Sequence, residues 1–261
     1  MKLTIIGAGN MGGALIHGLA KNGQADIMTI ADKNQALLAS FKEKYPGITT
    51  TTDNVAAVQN ADVIIIVVKP WLVPLVLKEI KPAINLTWQI VVSDAANFTT
   101  DMLASELGYV YGHFFYVIPN IAAEFGASMN FIAKGERASD ESLAKVKGIY
   151  DLVGETLVVP ENLIGPGMMM ASSGIAYVMR YIRAMMQGGC EMGFYPQQSK
   201  QISLQTMQGA ISLLKETGMH PEEAIDKVTT PGGVTIKGIN ELDHAGFTDA
   251  VISSLKAGLK Q

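Results

Sequence analysis

Six residues, Gly7-Ala8-Gly9-Asn10-Met11-Gly12, follow directly on the apolar run Lys2 to Ile6 and open a stretch patterned as a helix. A Gly-x-Gly-x-x-Gly turn in that strand-to-helix setting constrains the fold more than any other feature, because each glycine answers a separate steric demand. Gly7 permits the tight turn, Gly9 lets backbone approach a pyrophosphate, and Gly12 lets the helix pack on the strand. The helix N-terminus adds unpaired N–H groups and partial positive charge for phosphates. Gly7, Gly9, Asn10, Met11 and Gly12 are therefore candidate dinucleotide ligands.

The rest of the first 160 residues supports that setting. Ile27 to Ala31, Val63 to Val68 and Gln89 to Ser93 are apolar runs of strand length without alternation, as expected of central parallel strands covered on both faces. Weaker strand candidates are Val110 to Ile118, Ser128 to Ala133 and Thr156 to Val159. A helix is expected from Asp140 to Val153, capped by Ser139. After Pro160 the strand signal stops. Helical spacing then runs over about 166–192 and 196–217, with shorter helices after Pro221 and Pro231 and a last one capped by Thr248 and ending near Leu259. The expected class is α/β, a Rossmann-type doubly wound sheet over 1–160 followed by an all-α domain over 161–261.

Asp32 stands about twenty residues on from Gly12, at the end of the second strand, where a carboxylate accepts a hydrogen bond from the ribose 2′-hydroxyl of NAD. A 2′-phosphate would be repelled there unless neighbours compensate, and Lys33 and Asn34 follow immediately. Asp32 reads equally as a cap for the next helix, which leaves cofactor choice open. Asn54 and the turn Val67-Val68-Lys69-Pro70 fall at strand ends on the ligand side of an open sheet. Their bland alternatives are a helix cap for Asn54 and a solvated loop lysine for Lys69.

Composition excludes several classes. The formal charge is −4 with Lys and Arg scattered, which offers no footprint for a nucleic-acid backbone. The longest aliphatic stretch, Val63 to Val68, is far short of a membrane span, and no signal-peptide pattern precedes the first strand. A cytoplasmic enzyme is expected, without a metal. Cys190, the single cysteine, reads as a buried thiol, and the four histidines as structural, with His113 the one that could face a ligand.

Downstream, Thr229-Thr230-Pro231-Gly232-Gly233-Val234-Thr235-Ile236 reads as a loop entering a helix, where two glycine N–H groups can bind a carboxylate and Thr230 and Thr235 add hydroxyls; taken alone, the string reads more simply as an ordinary cap with Pro231 in the first helical turn. With Gly238, Glu241, Gly246 and Phe247 after it, and with Gly-Ala-Gly-Asn-Met-Gly and Val-Lys-Pro before it, this string resembles pyrroline-5-carboxylate reductase from end to end. The resemblance implies reduction of 1-pyrroline-5-carboxylate to L-proline, the last step of proline biosynthesis. It also implies a Rossmann domain, a helical dimerisation domain and an intertwined homodimer whose active site combines both subunits, or a higher oligomer built from dimers. It casts Lys33 and Asn34 as neighbours of the NADPH 2′-phosphate, with NADH the alternative, and Asn54, Lys69 and Pro70 as the rest of the cofactor groove. Thr230, Gly232, Gly233 and Thr235 would meet the substrate, with Thr235 on the imine nitrogen as the candidate catalytic residue.

The pattern is broken near the expected substrate pocket. Ile121 and Ala122 replace Thr-Pro, Tyr116 replaces an arginine, Met168 a threonine, and Ile175 a proline, while Asn97 stands where the resemblance expects glycine. These changes keep two other readings in play: a reductase of a different imine or carbonyl, and a non-catalytic NADP(H) sensor.

Overall fold

The structure is a computed structural model and describes residues 1–108 and 112–259. The chain forms two compact units, Met1–Ser172 and Ser173–Gln261.

The first unit is built on one sheet of eight strands: β1 (Leu3–Ile6), β2 (Met28–Ala31), β3 (Thr49–Thr51), β4 (Val63–Ile66), β5 (Ile90–Ser93), β6 (His113–Ile118), β7 (Ser128–Lys134) and β8 (Gly154–Val158), in the order β3-β2-β1-β4-β5-β6-β7-β8. Neighbours run parallel except β6 and β7, with Ile5 of β1 paired to Ile30 of β2 and Ile65 of β4. The expected strand from Val110 begins at His113; Val110 and Tyr111 lie outside the described residues.

The non-alternating runs have the cause expected of them. Every residue of β1, β4 and β5 is buried, and β4 divides its side chains between two layers. Val63 and Ile65 join a cluster with Leu15, Ile16 and Leu19 of α1 (Asn10–Lys21) and Val146, Ile149 and Tyr150 of α6 (Asp140–Asp151). Ile64 and Ile66 join a second with Val73, Val76 and Leu77 of α4 (Val73–Ile80) and Leu103 and Leu107 of α5 (Thr100–Leu107). Each fully buried aliphatic side chain of this kind stabilises the fold by about 1.5–3 kcal/mol. Two short helices, α2 (Gln35–Lys44) and α3 (Asn54–Val58), complete the crossovers on the β2 and β3 side. Ser139 caps α6 as expected, accepting from the Ser142 N–H at 3.1 Å. His113 Nδ1 lies 3.3 Å from both the Ser139 N–H and Ser142 Oγ, so it braces that helix start.

The unit closes with α7 (Ile164–Gly167) and a π-helical stretch, Met168–Ser173, that runs past its end. The second unit holds α8 (Gly174–Glu191), α9 (Pro196–Thr217), α10 (Pro221–Val228), α11 (Val234–His244) and α12 (Phe247–Ala257). Two expected caps are corrected. Gly246, at φ +75°, precedes α12, which leaves Thr248 inside the helix, and Pro231 lies ahead of α11 rather than in its first turn. Cys190 is exposed rather than buried, its Sγ 3.7 Å from Ser199 Oγ. Among the described residues, none from Ser173 onward enters the buried apolar clusters, and α10, α11 and α12 contain no buried residue.

Candidate functional site

At the carboxyl ends of β1, β2 and β4 the strand order reverses, and a crevice at such a switch point is where open α/β sheets receive ligands. The glycine loop occupies it. Gly7 has φ +102°, and a Cβ there would stand 2.4 Å from the Val67 carbonyl oxygen; one at Gly12 would stand 2.1 Å from that of Gly7. Both positions are closed to any side chain by backbone. Gly9 differs: nothing lies within 4 Å of where its Cβ would be, and it caps α1 without a side-chain hydrogen bond. Gly13 makes the first intrahelical bond, to Gly9 O at 2.6 Å, so the N–H groups of Asn10, Met11 and Gly12 have no acceptor within the helix. Open space beside a positively polarised helix end fits a pyrophosphate.

Asp32 reaches this loop in a way the sequence did not reveal. Its Oδ2 accepts from the Ala8 N–H at 2.8 Å and its Oδ1 from the Asn34 N–H at 2.8 Å, so the carboxylate ties the glycine turn to the end of β2. Asp32 is not the helix cap, and the two N–H bonds leave its carboxylate with acceptor capacity to spare. The cap of α2 is Asn34, whose Oδ1 accepts from Leu37 N–H at 3.1 Å. Asn54 is the first residue of α3 and not its cap; Asp53 caps, accepting from Val55 and Ala56.

Lys33 and Asn54 are brought together by a residue that sequence reasoning missed. Glu79, in α4, lies 3.3 Å from Lys33 Nζ through Oε1 and accepts from Asn54 Nδ2 at 2.9 Å through Oε2. A lone glutamate on an amphipathic helix gives no local signal of such a role. Lys69 is exposed at the head of a single 3-10 turn that Pro70 begins, directly after β4.

A second overlooked acid is Asp94, at the end of β5. It is buried, Tyr150 donates to its Oδ1, and its Oδ2 has no partner. Burial pushes its carboxyl up to about 8, and burial with the neighbouring Asp94 holds the Tyr150 phenol well above its ordinary value. An acid separated only by Ser93 from the apolar run Ile90 to Val92 was the available clue.

In the second unit, Gly233 N–H donates to Thr230 O at 2.9 Å and Gly232 has φ +71°, so Thr230-Pro231-Gly232-Gly233 is a turn of the type II pattern, proline second and glycine third. That corrects the expectation that both glycine N–H groups are available, because the one at Gly233 is spent on the turn. Gly233 caps α11 with no side-chain bond, which leaves the N–H groups of Val234, Thr235 and Ile236 as the unsatisfied helix donors. Thr235 is exposed in this first turn.

Residues 161–261 match the family model described as pyrroline-5-carboxylate reductase dimerisation, and residues 2–97 match one described as NADP oxidoreductase coenzyme F420-dependent. The pyrroline-5-carboxylate reductase of Methanosarcina acetivorans is 34% identical over 97% of this chain and 94% of its own length. The chain belongs to the pyrroline-5-carboxylate reductase family. Pyrroline-5-carboxylate reductase 1 of Dictyostelium discoideum is 32% identical over 97% of the chain, which spans 48% of that longer relative. Among solved structures, the Plasmodium falciparum pyrroline carboxylate reductase with NADP bound superposes with a TM-score of 0.89 at 22% identity, covering 99% of this chain and 95% of its own, a likeness of fold. Set against the family, the Tyr116 hydroxyl is engaged: it accepts from the Asn97 N–H at 2.8 Å. Asn120 Oδ1 accepts from the Ala122 N–H at 2.9 Å.

Proposed function

We infer that this chain reduces 1-pyrroline-5-carboxylate to L-proline, the last step of proline biosynthesis, using NADPH, with NADH the alternative donor. The observation that carries the reading is identity of 34% sustained across both units to a reductase of that name. The glycine loop supports it, since the open space at Gly9 and the free helix donors beside it suit a pyrophosphate.

The dinucleotide, when bound, supplies hydride to the imine carbon; what the protein contributes is binding and orientation. Gly7 and Gly12 fold the loop, and Gly9, Asn10 and Met11 present backbone N–H groups to the phosphates. Asp32, Lys33, Asn34 and Asn54 form the ribose corner, and Lys69 and Pro70 line the groove after β4. Thr230, Gly232 and Gly233 set the turn ahead of α11, whose unpaired N–H groups hold the substrate carboxylate. Thr235 Oγ1 accepts from the protonated ring nitrogen and keeps the imine electrophilic.

The working form is a homodimer. A helical unit none of whose described residues enters the buried clusters needs another surface to cover it, and a groove of about 630 Å³ lined by Tyr177, Tyr181, Met207, Leu242, Phe247 and Val251 offers one to a second copy. A cytoplasmic setting belongs to the same reading, and there the lone Cys190 stays reduced.

The test is loss of nicotinamide absorbance on adding 1-pyrroline-5-carboxylate to protein and NADPH, with proline identified as product. Rapid oxidation is expected. Cofactor binding without oxidation would return weight to a sensor or to a reductase of another imine.

A further inference from the structure

Two chemical demands meet at the corner where β2 and α3 begin their loops. Lys33 is the one cation of the Asp32-Lys33-Asn34 segment, and a 2′-phosphate needs a cation there. Its ammonium has three donors, and two are directed within the chain: Nζ donates to the Thr52 carbonyl oxygen at 3.2 Å and to Glu79 Oε1 at 3.3 Å. Glu79 is itself held in place, since Asn54 Nδ2 donates to its other oxygen at 2.9 Å and Asn54 is buried. The anions nearby are already committed as well. Asp32 binds two backbone N–H groups and Asp53 caps α3, so neither moves away to lower the charge of the corner.

We propose that Glu79 is a specificity-determining residue for the cofactor: by engaging Lys33 and adding its own negative charge, it weakens the hold on a 2′-phosphate and lets NADH compete with NADPH. The inference rests on the dinucleotide reading of this loop. Lys33 and Glu79 side chains are 68% and 34% exposed, so the charge acts through partly screened solvent and the effect is several-fold rather than orders of magnitude. The Asn54 bond gives Glu79 a fixed position that a mobile surface glutamate lacks.

The experiment compares adenosine 2′,5′-bisphosphate with 5′-ADP as probes by calorimetry, in wild type, Glu79→Gln and Lys33→Met. The glutamine keeps an oxygen for Asn54 and puts an NH2 group where Oε1 faced Lys33, which removes both the charge and the acceptor that engages the lysine. E79Q is expected to tighten the bisphosphate about fivefold and change 5′-ADP less than about twofold, a gain that shrinks as salt rises. K33M is expected to weaken the bisphosphate alone. Equal changes for both probes in E79Q, or none, with an unaltered melting temperature, would overturn the role of Glu79. If wild type bound neither probe, the dinucleotide reading itself would fail, a separate outcome.

Discussion

Tyr150 of α6 donates its hydroxyl to Asp94 Oδ1 at 2.5 Å, joining the helix to the end of β5 inside the sheet's first core layer. The second carboxyl oxygen has no partner, and burial raises the acid to about 8 from an ordinary 3.8. An acid raised in the folded state contributes stability that is full below its unfolded value and is lost as pH rises through the folded one. Between pH 4 and 8 the unfolded chain releases a proton that the folded chain keeps, so folding weakens with pH across that window. Asp94→Asn removes this dependence. Its stability relative to wild type should rise by about 4 kcal/mol from pH 5 to pH 9, read from denaturant midpoints; a constant difference would show that Asp94 ionises freely in the fold.

The three glycines of the loop should separate folding from binding. Gly12→Ala puts a methyl group 2.1 Å from the Gly7 oxygen and should cost about 2–3 kcal/mol. Gly9→Ala meets nothing in the protein and should melt near wild type, yet it fills the space argued for pyrophosphate. Its affinity for NADPH, measured by fluorescence titration, should fall at least about tenfold. Equal melting of the two variants would contradict the close packing at Gly12.

Much of this loop was readable in advance because its demands are local: turn, approach and packing each select glycine within six residues. The central strands were readable for a related reason, since burial on both faces erases alternation in β1, β4 and β5. Strand β3 left no trace, being three threonines at a sheet edge with no apolar pattern to read. Asp32 was found but its tie to the glycine turn was not, because the Ala8 N–H that it binds lies twenty-four positions away in the chain. Glu79 and Asp94 act through Asn54 and Tyr150, partners that only the fold brings near. The same holds for Gly233, whose N–H was expected to be free until the Thr230 turn claimed it.

Asn97 occupies left-handed backbone at φ 60°, the only described residue other than glycine with positive φ, and its N–H donates to Tyr116 at 2.8 Å. Asparagine tolerates that region and glycine is free in it, whereas alanine pays a steric penalty. Both Asn97→Gly and Asn97→Ala remove the asparagine side chain, so the alanine variant should be less stable than the glycine one by about 1 kcal/mol. Tyr116→Phe leaves the Asn97 N–H without its acceptor and should lose about 1 kcal/mol. Chemical denaturation of the three variants at one pH checks all of these values, and an alanine variant as stable as the glycine one would show that the turn relaxes.

Thr235 tests the substrate end. Its side chain is exposed in the first turn of α11, away from the buried clusters, so Thr235→Ala should leave the melting temperature within about two degrees. If Oγ1 accepts from the protonated ring nitrogen, removing it raises the barrier to hydride transfer without touching the glycine loop. Turnover with 1-pyrroline-5-carboxylate should then fall at least about tenfold while NADPH affinity holds. Thr235→Ser, which keeps the hydroxyl, should recover most of the rate. A serine variant as slow as the alanine one would assign the loss to the missing methyl group and its packing, and the hydroxyl would have no part in the chemistry.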